Sequence, residues 1–111
     1  MNRKVYIVAA KRTAMGSFGS AFASLSAPQL GAKAIEAVVK QTGIDNNQID
    51  EVLMGCVLQA NVGQAPARQA ARFAGLPDHI PATTINKVCA SGMKAISLGI
   101  QQILLGDAHV V

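Results

Sequence analysis

Short apolar segments alternate with helical patterns along the whole chain, and this alternation limits the possible folds more than any other feature of the sequence. Four segments are rich in β-branched residues, are too short for helices and are typical of buried strands: residues 5–10, 52–57, 83–86 and 108–111. Three stretches between them have helical patterns: residues 27–42, 67–74 and 90–105. The order β-α-β-α-β-α-β predicts an α/β fold, with a mostly parallel sheet flanked by helices.

The predicted helices have ordinary start and stop signals. Ser26 precedes a helix with Pro28 in its first turn, where a missing N–H costs little. A glycine follows each helix: Gly43, Gly75 and Gly106. The segment Asp-Asn-Asn-Gln at residues 45–48 resembles a short capping box, which predicts one turn before the second strand.

Length and composition indicate one modest domain over residues 1–111. Half of the residues are apolar and 14% are charged, which argues against disorder. Cys56 and Cys89 are far apart and follow no secretory leader, so we expect reduced thiols in a cytoplasmic protein, with no disulfide or metal site. The last predicted strand stops without a turn or polar tail, which indicates a partial domain of a longer protein.

The charge pattern argues against nucleic acid and membrane as partners. The formal charge is +4, but the basic residues are scattered, no run exceeds two, and only four aromatic residues are present. An anionic small ligand is compatible with this balance. The first apolar run ends at Lys11, and no stretch approaches the roughly 20 apolar residues of a membrane span.

Cys89 is the candidate catalytic residue. It lies where a predicted strand turns into the longest predicted helix, and the residues after it are small enough for close backbone approach. At a helix N-terminus, free amides and the positive end of the dipole favour the nucleophilic thiolate. The Cys89 amide is a candidate donor to the oxyanion that forms when its sulfur attacks a carbonyl. The alternative is a small buried cysteine at a tight turn.

Three segments carry a resemblance to a known family. Residues 86–95, Asn-Lys-Val-Cys-Ala-Ser-Gly-Met-Lys-Ala, closely resemble the nucleophile motif of the thiolases. Residues 12–18 are similar to the N-terminal thiolase signature, and residues 63–70 to the entry of the second thiolase helix. The resemblance runs from about residue 5 to the last residue. Thiolases usually have proline at the position of Ala14, and we expect this departure to loosen the loop without changing the chemistry.

The resemblance implies acyl transfer between coenzyme A thioesters. Cys89 would attack an acyl-CoA to form an acyl-enzyme, and a second acetyl-CoA would then condense with it to give acetoacetyl-CoA and CoA. The reverse reaction is thiolysis of a 3-ketoacyl-CoA. A thiolate suits both directions because it attacks thioesters and leaves them readily. The resemblance also implies a role in lipid metabolism, a homo-oligomer (dimer or tetramer), and no cofactor or metal besides the thioester substrates.

The same resemblance implies that other thiolase parts lie beyond residue 111. These parts are the activating histidine, the acid/base cysteine, a glycine-rich motif and most coenzyme A contacts, all belonging to a C-terminal domain absent here. The isolated chain is therefore expected to be inactive. Two alternatives stay open: a non-catalytic half-domain with a folding or assembly role, and a relative of the β-ketoacyl synthases.

Several other polar residues receive structural expectations. His79 and His109 do not match the family's catalytic histidine, and Cys56 is expected to pack in the core. Arg68 and Arg72, one helical turn apart, are expected on a solvated or interface face, although such a pair can bind an anion. Gln64 and Arg68 match a thiolase segment near the subunit interface, and Lys94 is expected to be structural.

Overall fold

The chain folds as helices packed against a small parallel sheet. A computed structural model describes residues 3–111, with the following elements in chain order: α1 (Ala27–Thr42), a 3₁₀ turn (Asn46–Gln48), β1 (Val52–Gly55), α2 (Pro66–Phe73), β2 (Ala82–Ile85) and α3 (Ser91–Leu105). β1 and β2 pair in parallel, with Val52 opposite Ala82 and Gly55 opposite Ile85. The predicted α/β class is confirmed.

Helix α1 begins and ends on strong local signals. The Ser26 hydroxyl accepts a hydrogen bond from the Gln29 amide at 3.3 Å, and the Gln29 side chain accepts one from the Ser26 amide at 2.7 Å. This is a reciprocal capping box. Gly43 ends the helix with a φ of 65°, a conformation that glycine adopts without strain.

The capping box that the sequence predicts at residues 45–48 differs from the structure. The Asp45 carboxylate accepts hydrogen bonds at 2.9 and 3.0 Å from the backbone and side-chain amides of Asn47, and a single 3₁₀ turn results. The Gln48 side chain makes no return hydrogen bond within the described residues. The predicted turn is confirmed. The predicted reciprocal capping is wrong, because Asp45 accepts from the amide of Asn47 and not from that of Gln48, as a capping box requires.

Small residues allow the helices to lie close together in the core. Ala32 of α1 and Ala67, Ala70 and Ala71 of α2 are buried, and these two helices pack against each other. The main apolar cluster joins both helices to β1 and the loops around it: Ile35, Ile49, Val52, Ala70, Ala71, Leu76 and Ile80. Burial of this cluster supplies the main favourable term for the fold.

Helix α3 covers the sheet with one face. Ser91, Ala95 and Gly99 are buried, and the helix contacts β1 and β2. By length and composition alone, the stretch Val88–Leu105 is apolar enough to cross a membrane; 17% of it is buried in this structure, on the face that contacts the sheet. The opposite face exposes large apolar side chains: Met93, Ile96, Ile100 and Leu104.

Two of the four predicted strands do not form within residues 3–111. Residues 5–10 have no strand partner, and Tyr6, Ile7 and Val8 are 71–77% exposed. Residues 108–111 approach the start of β1 through one backbone hydrogen bond, from the Asp50 amide to the Val110 carbonyl at 2.9 Å. An apolar run becomes a strand only when a neighbour completes its ladder, so these two predictions are wrong for this structure.

The Asp50 carboxylate takes the place of a ladder partner for the last residues. One of its oxygens accepts hydrogen bonds from the His109 amide at 2.6 Å and the Val110 amide at 3.0 Å. These two amides, His109 first, lower the pKa of the Asp50 carboxyl below its usual value because they stabilise the charged form. We call this contact the Asp50 clasp.

Candidate active site

The carboxyl ends of β1 and β2 meet at one edge of the sheet, and the candidate nucleophile lies there. Cys56 directly follows β1, and its amide donates to the Ile85 carbonyl at 2.9 Å. Asn86 directly follows β2, and its side-chain amide donates to the Val57 carbonyl at 3.3 Å. Cys89 comes three residues later, just before α3. This edge is where open α/β folds commonly place their ligands.

The turn that presents Cys89 is strained. Val88 has a φ of +48°, a conformation that β-branched residues rarely adopt and that costs on the order of 1–3 kcal/mol. The Asn86 side-chain oxygen accepts a hydrogen bond from the Val88 amide at 3.0 Å. The Ala90 amide donates to the Lys87 carbonyl at 3.1 Å, which closes the turn. Surrounding hydrogen bonds therefore hold a conformation that the backbone disfavours.

The buried Ser91 side chain stabilises this turn through two hydrogen bonds to its backbone. Its hydroxyl accepts a hydrogen bond from the Lys87 amide at 2.9 Å and donates one to the Val88 carbonyl at 2.6 Å. The residue is 3% exposed and is the one buried polar residue in the described part of the chain. Ser91 was not among the residues predicted from the sequence, although a serine at the first position of an apolar helix is a signal of local hydrogen bonding to the backbone.

Cys89 lies exposed at the tip of the turn, so the alternative of a small buried cysteine is contradicted. Neither its thiol nor its amide is a hydrogen-bond donor to any residue in 3–111, and an isolated backbone bridge pairs Cys89 with Lys87. Ala90, the residue that precedes α3, provides no side-chain cap for the first-turn amides. The Cys89 thiol and amide are therefore open to a ligand from solvent, whereas the first amide of α3, that of Ser91, donates to the Val88 carbonyl at 3.1 Å.

Gly55 allows α3 to begin directly on the sheet. A Cβ atom at this position would lie 2.5 Å from the Gly92 nitrogen and 2.6 Å from the Ser91 carbonyl carbon, distances that real contacts do not show. Any side chain at residue 55 would push the helix start away from β1. This role of Gly55 was not predicted from the sequence either, although a glycine inside an apolar strand is a recognised signal of close backbone approach.

Both histidines lie at the opposite edge of the sheet from Cys89. His79 is in the loop before β2, and His109 is held at the start of β1 through the Asp50 clasp. Cys89 follows the other end of β2, and a four-residue strand spans about 13 Å. Both histidines are exposed. The structure therefore keeps the two imidazoles apart from the thiol.

The paired arginines are bound within the chain. Arg68 donates to the Ile80 carbonyl and the Asp78 carbonyl, both at 2.8 Å. Arg72 forms an ion pair with the Asp78 carboxylate at 3.2 Å. The Asp78 side chain of the same protein therefore occupies the position of the alternative anion, and the two arginines connect α2 to the loop before β2.

The remaining candidate residues have ordinary environments. The half-buried Cys56 thiol contacts the Leu58 carbonyl at 3.9 Å. Gln64 is exposed, and its backbone carbonyl accepts a hydrogen bond from the Gln69 side-chain amide at 2.7 Å. Lys94 is half-buried; its amide donates to the Ala90 carbonyl at 2.8 Å, and its side chain makes no hydrogen bond within the described residues. Residues 3–111 contain no cluster of three or more His, Cys, Asp or Glu side chains able to hold a metal ion.

An apolar groove lies away from Cys89. It has a volume of about 250 Å³ and is apolar, between α1, β1 and the last residues. Its lining includes Ile35, Val39, Val52 and Val110, and does not include Cys89. The candidate nucleophile is therefore at an open surface turn within this chain.

Comparison with known proteins identifies the family. The model of the thiolase N-terminal domain matches residues 5–111. An acetyl-CoA acetyltransferase of Schizosaccharomyces pombe is 56% identical over 111 residues, which are 100% of this chain and 28% of the relative. Acetyl-CoA acetyltransferases of Pseudomonas aeruginosa and Cupriavidus necator are 57% and 53% identical over 107 residues, which are 96% of this chain and 27% of each relative.

The chain thus spans between a quarter and a third of the length of these curated relatives. The family model covers nearly all of it, from a residue within the first extended segment to the last residue. The resemblance seen in the three sequence motifs is confirmed. The chain belongs to the thiolase family, and its residues 5–111 match the N-terminal domain of that family.

Proposed function

We propose that this chain carries the nucleophile of a thiolase-type acyltransferase, with Cys89 as the residue that accepts the acyl group. The observation that carries the proposal is the strained turn that leaves the Cys89 thiol and amide exposed and unpartnered ahead of α3. The relatives' shared name, acetyl-CoA acetyltransferase, supports an acetyl thioester as the substrate. Coenzyme A thioesters would then be substrates, with no separate cofactor.

The first step would be transthioesterification. The Cys89 thiol loses its proton to solvent, and the sulfur forms a bond to the carbonyl carbon of acetyl-CoA. The carbonyl electron pair moves onto oxygen, where the Cys89 amide can donate a hydrogen bond. When the electron pair returns, the bond to the coenzyme A sulfur breaks, and the released thiolate takes a proton from solvent. Cys89 then carries the acetyl group as a thioester.

The second step would be condensation of this acyl-enzyme with another acetyl-CoA. Removal of a proton from the methyl carbon requires a base, and the resulting carbanion requires stabilisation at its thioester oxygen. Neither histidine of this chain lies near Cys89. We therefore assign condensation and thiolysis to a longer, homo-oligomeric protein in the cytoplasm, of which these residues would supply the nucleophile.

The proposal is tested by acetyl transfer to the purified chain. The chain is incubated with acetyl-CoA, and intact-mass measurement followed by peptide mapping locates the acetyl group. We expect acetylation of Cys89, loss of it in Cys89→Ser, and retention of it in the matched variant Cys56→Ser. Equal acetylation of both cysteines in the folded chain would contradict a dedicated nucleophile.

A non-catalytic assembly role is the second candidate, and the exposed apolar face of α3 favours it. A contiguous apolar surface of this kind commonly marks an interface. It predicts self-association that persists when Cys89 is replaced by serine. Sedimentation velocity of the original chain and of Cys89→Ser checks this, and a monomer at high concentration would contradict it.

A further inference from the structure

We propose that Ser91 is a positioning residue for the acyl-transfer step, and this inference rests on the proposed function. Its hydroxyl joins the residues on the amino side of Cys89 to the first turn of α3. The two hydrogen bonds hold Val88 at a positive φ and so fix the direction of the next peptide unit, whose N–H belongs to Cys89. Ser91 thus acts through the backbone and does not touch the substrate.

Burial and chemistry both support this role. A buried hydroxyl that satisfies one donor and one acceptor has strong directional preference, because either partner left alone pays the full cost of desolvation. Val88 requires such a brace, since its backbone would relax to a negative φ without one. Relaxation would rotate the peptide between Val88 and Cys89, and the amide would no longer face the oxyanion.

Gly55 limits the movement of Ser91, because it allows the start of α3 to pack directly against β1. The backbone of Ser91 and Gly92 rests against β1 at a separation that leaves no space for a side chain. The Ser91 hydroxyl is therefore anchored to the sheet and not to a mobile loop. Asn86 adds a second, exposed brace through its hydrogen bond from the Val88 amide at 3.0 Å.

The test compares two reactions of the same thiolate. Attack on a thioester develops negative charge on a carbonyl oxygen, whereas alkylation by iodoacetamide is a displacement at carbon and makes no oxyanion. The ratio of the two rate constants at Cys89 cancels differences in exposure and in thiolate fraction. S-ethyl thioacetate is the thioester probe, because it needs no coenzyme A contacts. Peptide mapping by mass spectrometry gives both rate constants for each cysteine in the full chain.

We expect Ser91→Ala to lower this ratio at Cys89 by about tenfold, less than the loss expected for complete removal of an oxyanion donor. Ser91→Thr keeps a hydroxyl and should restore the ratio. Ser97→Ala is the matched control, because Ser97 is half-buried on the same helix and its side chain makes no hydrogen bond within residues 3–111. Asn86→Ala removes the hydrogen bond from the Val88 amide at an exposed position, together with the one to the Val57 carbonyl, and should lower the ratio in the same direction.

The outcomes separate this inference from the proposed function. An unchanged ratio in both Ser91→Ala and Asn86→Ala, with a high ratio in the original chain, would overturn the role of Ser91 alone. A fall of the same size at Cys56 would also overturn it, because it would indicate a general loss of structure. A ratio at Cys89 no higher than at Cys56 in the original chain would overturn both the proposed function and the role of Ser91.

Discussion

Cys56 and Cys89 show how position separates two chemically identical side chains. Each follows a strand at the same edge of the sheet, yet one is half-buried against a carbonyl and the other is exposed at a strained turn. The strand-to-helix position of Cys89 could be predicted from the sequence. The strain at Val88 could not, because it results from hydrogen bonds between Asn86, Ser91 and the turn, which depend on the folded backbone.

Cys89 should react with iodoacetamide about tenfold faster than Cys56 in the folded chain, because reactive thiols are accessible and lie in environments that favour the thiolate. Peptide mapping after timed quenching measures both rates in one sample. The same measurement in urea is the control, since unfolding makes the two cysteines equally accessible. Equal rates in the native chain would remove the argument for an activated Cys89.

At the scale of elements, helix boundaries could be predicted because they depend on residues close together in the sequence. The start of α1 depends on Ser26 and Gln29, and its end depends on Gly43, so both boundaries could be predicted from a few neighbouring residues. Residues 5–10 differ because a strand is a property of two segments. Their apolar pattern indicates a strand, but the pattern does not contain the partner that would complete the ladder.

Gly55→Ala should lower the free energy of unfolding by about 1–3 kcal/mol, because the new methyl group overlaps the start of α3. Gly92→Ala is the matched control: its Cβ meets nothing within 4 Å, and alanine favours a helix over glycine by about 1 kcal/mol. Urea denaturation followed by circular dichroism measures both variants. A Gly55→Ala variant as stable as the original chain would show that the helix can move away from β1 at little cost.

At the scale of the whole molecule, the sheet separates the two kinds of titratable group. Cys89 lies beyond the carboxyl ends of the strands, and His79 and His109 lie near the amino ends. Both histidines were predicted to be structural because neither matches the catalytic histidine of the family. The parallel sheet gives the physical reason for this separation: the thiol and both imidazoles lie at opposite ends of its strands.

These 111 residues alone should show no steady-state thiolysis of acetoacetyl-CoA. Under the proposed function the Cys89 thiol accepts an acetyl group, but both histidines in the described residues lie at the other end of the strands and cannot exchange a proton with the substrate. The loss of absorbance of the enolate form of acetoacetyl-CoA in the presence of CoA measures turnover. Sustained turnover that disappears in Cys89→Ser would contradict this expectation, whereas turnover that survives in that variant would indicate a contaminant.

The Asp50 clasp should make stability depend on pH. Because the folded chain lowers the pKa of the Asp50 carboxyl, its contribution is fully present above the ordinary aspartate pKa of about 3.9 and is lost as the pH falls through the folded value. Asp50→Asn should therefore lower Tm near pH 7, and the difference from the original chain should shrink toward pH 3.

Asp107→Asn is the matched control for the clasp, because Asp107 is exposed and its carboxylate makes no hydrogen bond within residues 3–111. Thermal unfolding followed by circular dichroism across this pH range gives both comparisons. A Tm difference for Asp50→Asn that stays constant down to pH 3 would show that the carboxylate does not hold the last residues through its charge.

The positive φ of Val88 lowers the stability of the chain and, under the proposed function, favours the reaction at Cys89. Val88→Gly would remove strain of about 1–3 kcal/mol at an entropic cost of about 0.5–1 kcal/mol, so thermal unfolding should show a more stable chain. The same change would free the Cys89 peptide to rotate, and acetylation of Cys89 should slow. A chain selected only for robustness would replace Val88, whereas a chain selected for acyl transfer would keep it.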